Sequence, residues 1–354
     1  MTSLRRLLAA TAVAAFAGVA VPAADAQEFT LRITNPDAPY VQIDDMKYPY
    51  YVYGMMTAFG ETVEALSKGR IKAEIYHSGT LGDLRENMES VRMGVLEATT
   101  PSEGPVSIFY PEIQVITIPY VFQNAAVAWE VMDGPFGQKL FDGMIEQGFR
   151  AVAIGENGGF RIWGNNVHKI ETPDDMAGLK IRTMEIPAHQ EMVKALGASP
   201  TAVPWMEVYS ALQTGVVDGA ELPTVGTLQQ NLQEVLKFIT VDSHVYSLSF
   251  IIVSEKWFQS LPPDLQEAVL LAGRIATVTS RGLVQVTVND ALRYFAEHGI
   301  EVTYLTGDAQ AAFRKKAQPG VIKWMEETLS PELVAQFMSS VRDAEAKLGM
   351  TPSL

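Results

Sequence analysis

The stretch Gly178–Pro223, GLKIRTMEIPAHQEMVKALGASPTAVPWMEVYSALQTGVVDGAELP, decides the reading of the fold. Gly178–Thr183 has the composition of a strand, and Pro187, a residue suited to the first helical position, opens a helix through Leu196. Short strands at Thr201–Val203 and Val217–Glu221 follow. Strand, helix, strand is the grammar of an α/β protein, which predicts largely parallel sheets covered by helices.

The same rhythm extends outward in both directions. Phe29–Thr34 and Ile71–Tyr76 alternate as strands, with a helix-spaced run at Thr57–Ser67 between them. A helix over Leu84–Met93 is stopped by Gly94, and a short strand Val95–Thr99 follows. Phe149–Ile154 and Ser247–Ser254 complete the strands. Pro263–His298 has no internal proline and is rich in Leu, Ala, Val and Arg, which predicts one long helix, with a break near Gly282 left open. At 1.5 Å per residue it would run ~50 Å, longer than one small domain is wide, so it is expected to lie along two domains. No linker, repeat or low-complexity tract marks a boundary, as happens when domains interleave along the chain.

Composition narrows the function. The chain has 354 residues, 27 Lys and Arg against 41 Asp and Glu, and no cysteine. At 47% hydrophobic and 19% charged it is an ordinary globular chain, long enough for two domains. Disulfides, thiolate nucleophiles and Cys-ligated metal sites are excluded. A net charge of -14 with no basic tract is repelled by phosphate backbones, so nucleic acid is not expected as a partner. Residues 1–26 read as a signal peptide: Arg5 and Arg6, a short apolar run Leu7–Val21, and the small-x-small site Ala24-Asp25-Ala26. The apolar run is too short for a membrane span, which takes about 20 residues. The mature chain is therefore expected to begin at Gln27 and to be exported, with a twin-arginine route left open by the paired arginines.

Catalytic signatures are missing. The sequence has no H-E-x-x-H, G-x-S-x-G, Walker-type loop or G-x-G-x-x-G, and its five histidines are scattered, so neither metal nor cofactor is expected. Asp44-Asp45 and Asp174-Asp175 read as surface or helix-start acids. Two arginines stand in apolar strand surroundings: Arg161 in Gly159-Phe160-Arg161-Ile162-Trp163, and Arg182 at the end of Gly178–Thr183. A guanidinium stays charged and offers a planar fork of donors that fits a carboxylate. A strand-end arginine facing the helix that starts at Pro187 would make an anion site. An internal salt bridge with Glu207 or Glu221 explains the same pattern equally well, and residues alone leave both open.

The run Gly178–Pro223, together with GTLGDLRENMESVRMGVLEAT (79–99) and FYPEIQVITIPYVF (109–122), resembles the substrate-binding proteins of tripartite ATP-independent periplasmic transporters, the dicarboxylate-binding type. The likeness runs from Phe29 to about Leu348. It implies a two-domain clamp of the periplasmic-binding-protein kind, with interleaved domains, a long helix across both, and delivery of an organic acid to membrane permease subunits. The expected division is residues 27–158 with 248–287 for one domain, and 159–247 with 288–354 for the other. A periplasmic monomer without enzymatic activity is implied.

By the resemblance, Arg182 holds the arginine that pairs with the ligand carboxylate, and Arg161 a second arginine that contacts the same ligand. Glu103, in Pro101-Ser102-Glu103-Gly104, matches a pocket position, with a capping or surface acid as the alternative. Trp205 matches an aromatic that packs on the ligand's carbon skeleton, with a core tryptophan as the alternative. Asn35, Glu221 and Leu222 join the expected contacts. The chain departs from the family where Glu221-Leu222-Pro223 stands for Glu-Asn-Pro, and where Leu84 stands for a polar residue, which favours a less polar ligand. Asn35–Tyr53 is longer than usual and holds Tyr40, Tyr48, Tyr50, Tyr51 and Tyr53, which suits either a lid over an amphipathic acid or a loop packed on its own domain. Two readings compete with transport: an exported hydrolase or lyase acting on an acidic substrate, and a ligand-presenting subunit of a sensor kinase.

Overall fold

The computed structural model describes residues 27–352, so the expected signal peptide lies outside the described residues. In chain order the strands are β1 (Phe29–Thr34), β2 (Tyr40–Ile43), β3 (Met46–Pro49), β4 (Ile71–Tyr76), β5 (Ala98–Thr99), β6 (Phe149–Asn165), β7 (Lys180–Thr183), β8 (Ser199–Ala202), β9 (Gly219–Pro223), β10 (Phe238–Val241), β11 (Tyr246–Ser254) and β12 (Glu301–Tyr304). β2 and β3 form a separate hairpin. The rest form one sheet in the order β4-β1-β5-β11-β6-β9-β7-β8, with β10 joining β6 to β12.

The flanks of this sheet are parallel: β1 with β4 and β5, β7 with β8 and β9, β10 with β12. Its centre is antiparallel, because β6 and β11 cross between the two flanks in opposite directions. The expectation of a largely parallel sheet therefore fails at these crossing strands. β6 is also longer than its sequence pattern predicts. Gly155-Glu156-Asn157-Gly158-Gly159 reads as a breaker, yet the strand continues through it for 17 residues. Gly158 and Gly159 take φ of 74° and 71°, a region that costs a residue with a Cβ, and the register against β11 shifts between Ser247 and Leu248. That is a bulge, which bends the strand without ending it.

Period-two burial builds an apolar core on each face of the sheet. Leu248, Phe250 and Ile252 of β11 enter one core with Phe313, Val321 and Phe337 of the C-terminal helices. Ile251 and Val253 enter the other, with Leu31, Ile33 and the long helix Pro263–Glu297. This helix is unbroken at Gly282 and packs along β6, the helix Tyr51–Leu66 and the helix Thr224–Gln229, spanning both flanks. Gly273 permits the close approach, since a Cβ there would collide with the Val152 carbonyl oxygen. The helix Gly307–Thr328 covers Pro187–Ala195, and Pro331–Lys347 covers Ala125–Asp133. No helix among the described residues is long and apolar enough to cross a membrane.

Asn35–Tyr53, expected as either a lid or a loop packed on its own domain, folds into regular elements. It forms the β2–β3 hairpin and the first turn of the helix Tyr51–Leu66, which begins earlier than its periodicity predicts. Tyr48 donates its hydroxyl to Asp290 at 3.0 Å, tying the hairpin to the long helix, while Tyr50 and Tyr51 are buried.

Candidate functional site

Between the two flanks lies a cavity of about 120 Å³. Segments that follow the parallel strands build most of it: Asn35–Asp37 after β1, Thr100 and Ser102 after β5, Met184 and Glu185 after β7, and Val203–Glu207 after β8. Carboxyl ends of parallel strands are where α/β sheets bind ligands, because the chain turns there and leaves a crevice.

Arg182 lines this cavity from β7, where it pairs with Thr201 of β8 and Ala220 of β9. Its Nε donates to the Val203 carbonyl at 2.9 Å, which fixes the plane of the guanidinium. The residue is 1% exposed, its Nη1 has no hydrogen-bond partner, and among the described residues no carboxylate forms a salt bridge with it. Burial pulls its pKa down to about 10, so the group remains a cation at neutral pH. A buried charged donor left unpaired is costly, commonly by more than about 1–3 kcal/mol, so an anion beside it is favoured.

Arg161 differs, although it too lines the cavity. On β6 it sits opposite Pro223 of β9 and diagonal to Glu221, and its Nε donates to the Glu221 carboxylate in a fully buried ion pair. Its other nitrogens reach the Glu221 carbonyl at 3.0 Å and Ser247 Oγ at 3.2 Å. Burial opposes ionisation of Glu221, but Arg161 and His189 beside it outweigh that and hold the carboxyl well below the usual range. The internal salt bridge thus exists for Arg161 with Glu221, whereas Glu207 is exposed at the cavity rim. Glu221 also accepts the Met184 amide at 3.1 Å, so it anchors the segment that leads out of β7.

Around this pair runs a hydrogen-bonded chain. Tyr50 donates to Tyr51 at 2.7 Å, Tyr51 to Asn157 at 2.9 Å, and Asn157 to Ser247 at 3.0 Å. Ser247 in turn donates to Glu103 at 2.6 Å, and Glu103 also accepts the Leu248 amide at 3.1 Å. Burial pushes the Glu103 carboxyl up against the pull of Arg161. The chain links the hairpin side to the bulge in β6 and β11.

Asp37 and Trp205 close the opposite wall. Asn35 accepts the Asp37 amide at 2.8 Å and donates to the Thr100 carbonyl at 2.9 Å, and with Pro36 between them this turn aims Asp37 inward. Trp205 Nε1 donates to Asp37 Oδ1 at 2.8 Å, and the Arg182 guanidinium carbon lies 5.6 Å from the Trp205 ring centroid. Burial pushes the Asp37 carboxyl up to about 6, with the bonds from Trp205 and Gln230 acting the other way.

Of the residues singled out from sequence, Arg182, Arg161, Trp205 and Asn35 meet at the cavity, as does Leu84. Glu103 and Glu221 are buried behind it and hold other groups in place. Leu222 is a correction: strand alternation turns it to the far face, where it pairs with Ile162 inside the apolar core. From there Leu222 does not set the polarity of a ligand in the cavity. The helix start at Pro187 is a second correction, since its Ala188 amide is taken by Gln114 at 3.1 Å and neither residue lines the cavity. Tyr50, singled out with the tyrosine-rich run, also lines the cavity, whereas Asp37 and Asn157 were missed. The position of Asp37 just past the carboxyl end of β1 was the available signal.

Comparison with known proteins agrees with this architecture. The family described as "Bacterial extracellular solute-binding protein, family 7" matches residues 49–328. A solute-binding protein of Verminephrobacter eiseniae is 37% identical over 64% of this chain and 67% of its own length. The C4-dicarboxylate-binding periplasmic protein DctP of Rhodobacter capsulatus is 29% identical over 82% of this chain and 85% of its own. Among solved structures, a sugar acid binding protein of Advenella mimigardefordensis in complex with galactonate superposes with a TM-score of 0.82 at 29% identity, covering 90% of this chain and 99% of that one. The chain belongs to the DctP family of bacterial extracellular solute-binding proteins, which serve tripartite ATP-independent periplasmic transporters.

Proposed function

We propose that this chain captures a small organic acid in the periplasm, with Arg182 holding the carboxylate, and passes it as a monomer to the permease subunits of its transporter without chemical change. The observation that carries this reading is the buried, charged and unpaired guanidinium of Arg182 in the cavity between the flanks. A carboxylate entering there supplies the missing acceptor, and a charge-assisted bond in a water-poor site is worth more than the same bond in water. Relatives that bind C4-dicarboxylates and galactonate support an acid as the ligand class.

Trp205 offers its ring to the carbon skeleton and Asn35 frames the turn beside it. Arg161 acts through Glu221, keeping the exit of β7 and hence Arg182 in place. The bulge at Gly158, Gly159 and Ser247 is the hinge, dividing residues 27–158 with 248–287 from 159–247 with 288–354. A ligand touching both sides favours the closed form because only that form makes both sets of contacts. A thermal-shift screen of Gln27–Leu354 against about a hundred small acids, sugars, amines and sulfonates tests the reading. A 1 mM ligand of micromolar affinity adds about 4 kcal/mol of stability. Hits among carboxylates are expected, and hits confined to neutral compounds or sulfonates contradict it.

A further inference from the structure

Asp37 presents a second charged group to the same cavity. Of the acids that line it, Asp83 and Glu207 are exposed and Glu185 is half-buried, whereas Asp37 is 8% exposed. Its protein bonds come from two neutral donors, Trp205 Nε1 at 2.8 Å and Gln230 Nε2 at 3.3 Å, and both go to Oδ1. Among the described residues none donates to Oδ2, and no cation forms a salt bridge with this carboxylate. Arg161 cannot serve as counter-ion, because Glu221 already neutralises it.

Among the described residues, Arg182 and Asp37 are the buried charges that line the cavity without a salt-bridge partner, while Arg85, the other lining cation outside the Arg161–Glu221 pair, is exposed and pairs with Glu89. Trp205 sits between Arg182 and Asp37: its indole nitrogen bonds Asp37, and its ring centroid is 5.6 Å from the Arg182 guanidinium carbon. The separation is thus set by one indole, the span of a small molecule.

We propose that the ligand is a zwitterion, an acid whose carboxylate is held by Arg182 and whose ammonium group is held by Asp37, which makes Asp37 the residue that sets specificity. The inference rests on the reading of Arg182 as the carboxylate-binding group. A dicarboxylate brings a second negative charge towards Asp37 and is repelled, and a hydroxy acid supplies a hydrogen bond without the compensating charge. A zwitterion satisfies both open groups and leaves no net charge behind. Burial that pushes the Asp37 carboxyl up to about 6 agrees with a site lacking its counter-ion until ligand arrives.

Calorimetric titration of Gln27–Leu354 with acids of two to six carbons tests this, each skeleton offered with an ammonium group, a hydroxyl or a second carboxylate at the same position. The ammonium form of the best skeleton is expected to bind at least tenfold tighter than its two counterparts. In Asp37→Asn, which keeps an oxygen for Trp205, that advantage is expected to fall below threefold while the dicarboxylate gains. Equal or tighter binding of the hydroxy acid or dicarboxylate to the wild type overturns the inference, as does an ammonium preference that survives in Asp37→Asn. In either case carboxylate capture by Arg182 stands. If no carboxylate binds, or if binding is unaffected in Arg182→Ala, the underlying reading falls and takes this one with it.

Discussion

Trp205 donates its indole N–H to Asp37 Oδ1 at 2.8 Å, joining the turn after β8 to the turn after β1 across the ligand cavity. Gln230 adds a longer bond to the same oxygen at 3.3 Å, and both end on an acid whose burial is uncompensated by a cation. The pair is therefore both a latch and a weak point.

Trp205→Phe keeps an aromatic ring and removes the donor. The ligand-free protein is expected to shift towards an open form, read as a larger radius of gyration in small-angle X-ray scattering. An unchanged radius would mean that other contacts hold the walls together.

Asp37 also gives the ligand-free protein a pH dependence whose sign is fixed. Burial raises its folded pKa to about 6 above an ordinary carboxyl near 3.8, so protons bind the folded state more tightly. The stabilisation is complete below pH ~4 and is lost as pH rises through about 6, a change on the order of 3 kcal/mol. Melting temperatures of wild type and Asp37→Asn, compared at pH 5 and pH 8, should show a steeper loss for the wild type. Parallel profiles would contradict this.

The Arg161–Glu221 pair is fully buried, so removing one partner strands the other. Glu221→Gln and Arg161→Met are each expected to destabilise the ligand-free fold by about 3–5 kcal/mol, while the double variant loses less than the sum. Urea unfolding of the four proteins checks it, and simple additivity would show that the two charges do not depend on one another.

Leu222→Asn separates core from site. Because Leu222 packs with Ile162 behind β9, the substitution buries an amide without a partner and is expected to cost about 3–5 kcal/mol of stability. The ranking of ligands should not change, and a new preference for hydroxylated acids in a stable variant would place Leu222 at the ligand after all.

These residues also mark how far the sequence could be read. The α/β class, the long helix and the strand bearing Arg182 follow from local periodicity and were legible. The sequence predicts a strand only over Phe149–Ile154, with separate strand surroundings at Arg161, and only pairing with β11 joins them through a bulge at Gly158 and Gly159. Arg161 and Arg182 look alike in sequence; their difference lies in the β6–β9 register, which lets the Glu221 carboxylate form its ion pair with Arg161 while it acts on Arg182 only as a neighbouring charge. The same register turns Leu222 to the core. Asp37 stayed hidden because Asn35-Pro36-Asp37 reads as an ordinary turn, and its value as a site residue comes from Trp205, remote in sequence.

The central claim is that Arg182 holds the ligand's carboxylate, and the most direct test is calorimetric titration of wild type, Arg182→Ala and Arg182→Lys with an acid found in the thermal-shift screen. Loss of the guanidinium is expected to weaken binding by about 2–5 kcal/mol. Lysine should fail to restore full affinity, because a point charge lacks the planar fork. Removal of an unpaired buried cation should also leave the ligand-free protein at least as stable as before. Binding to Arg182→Ala within twofold of wild type would contradict the account.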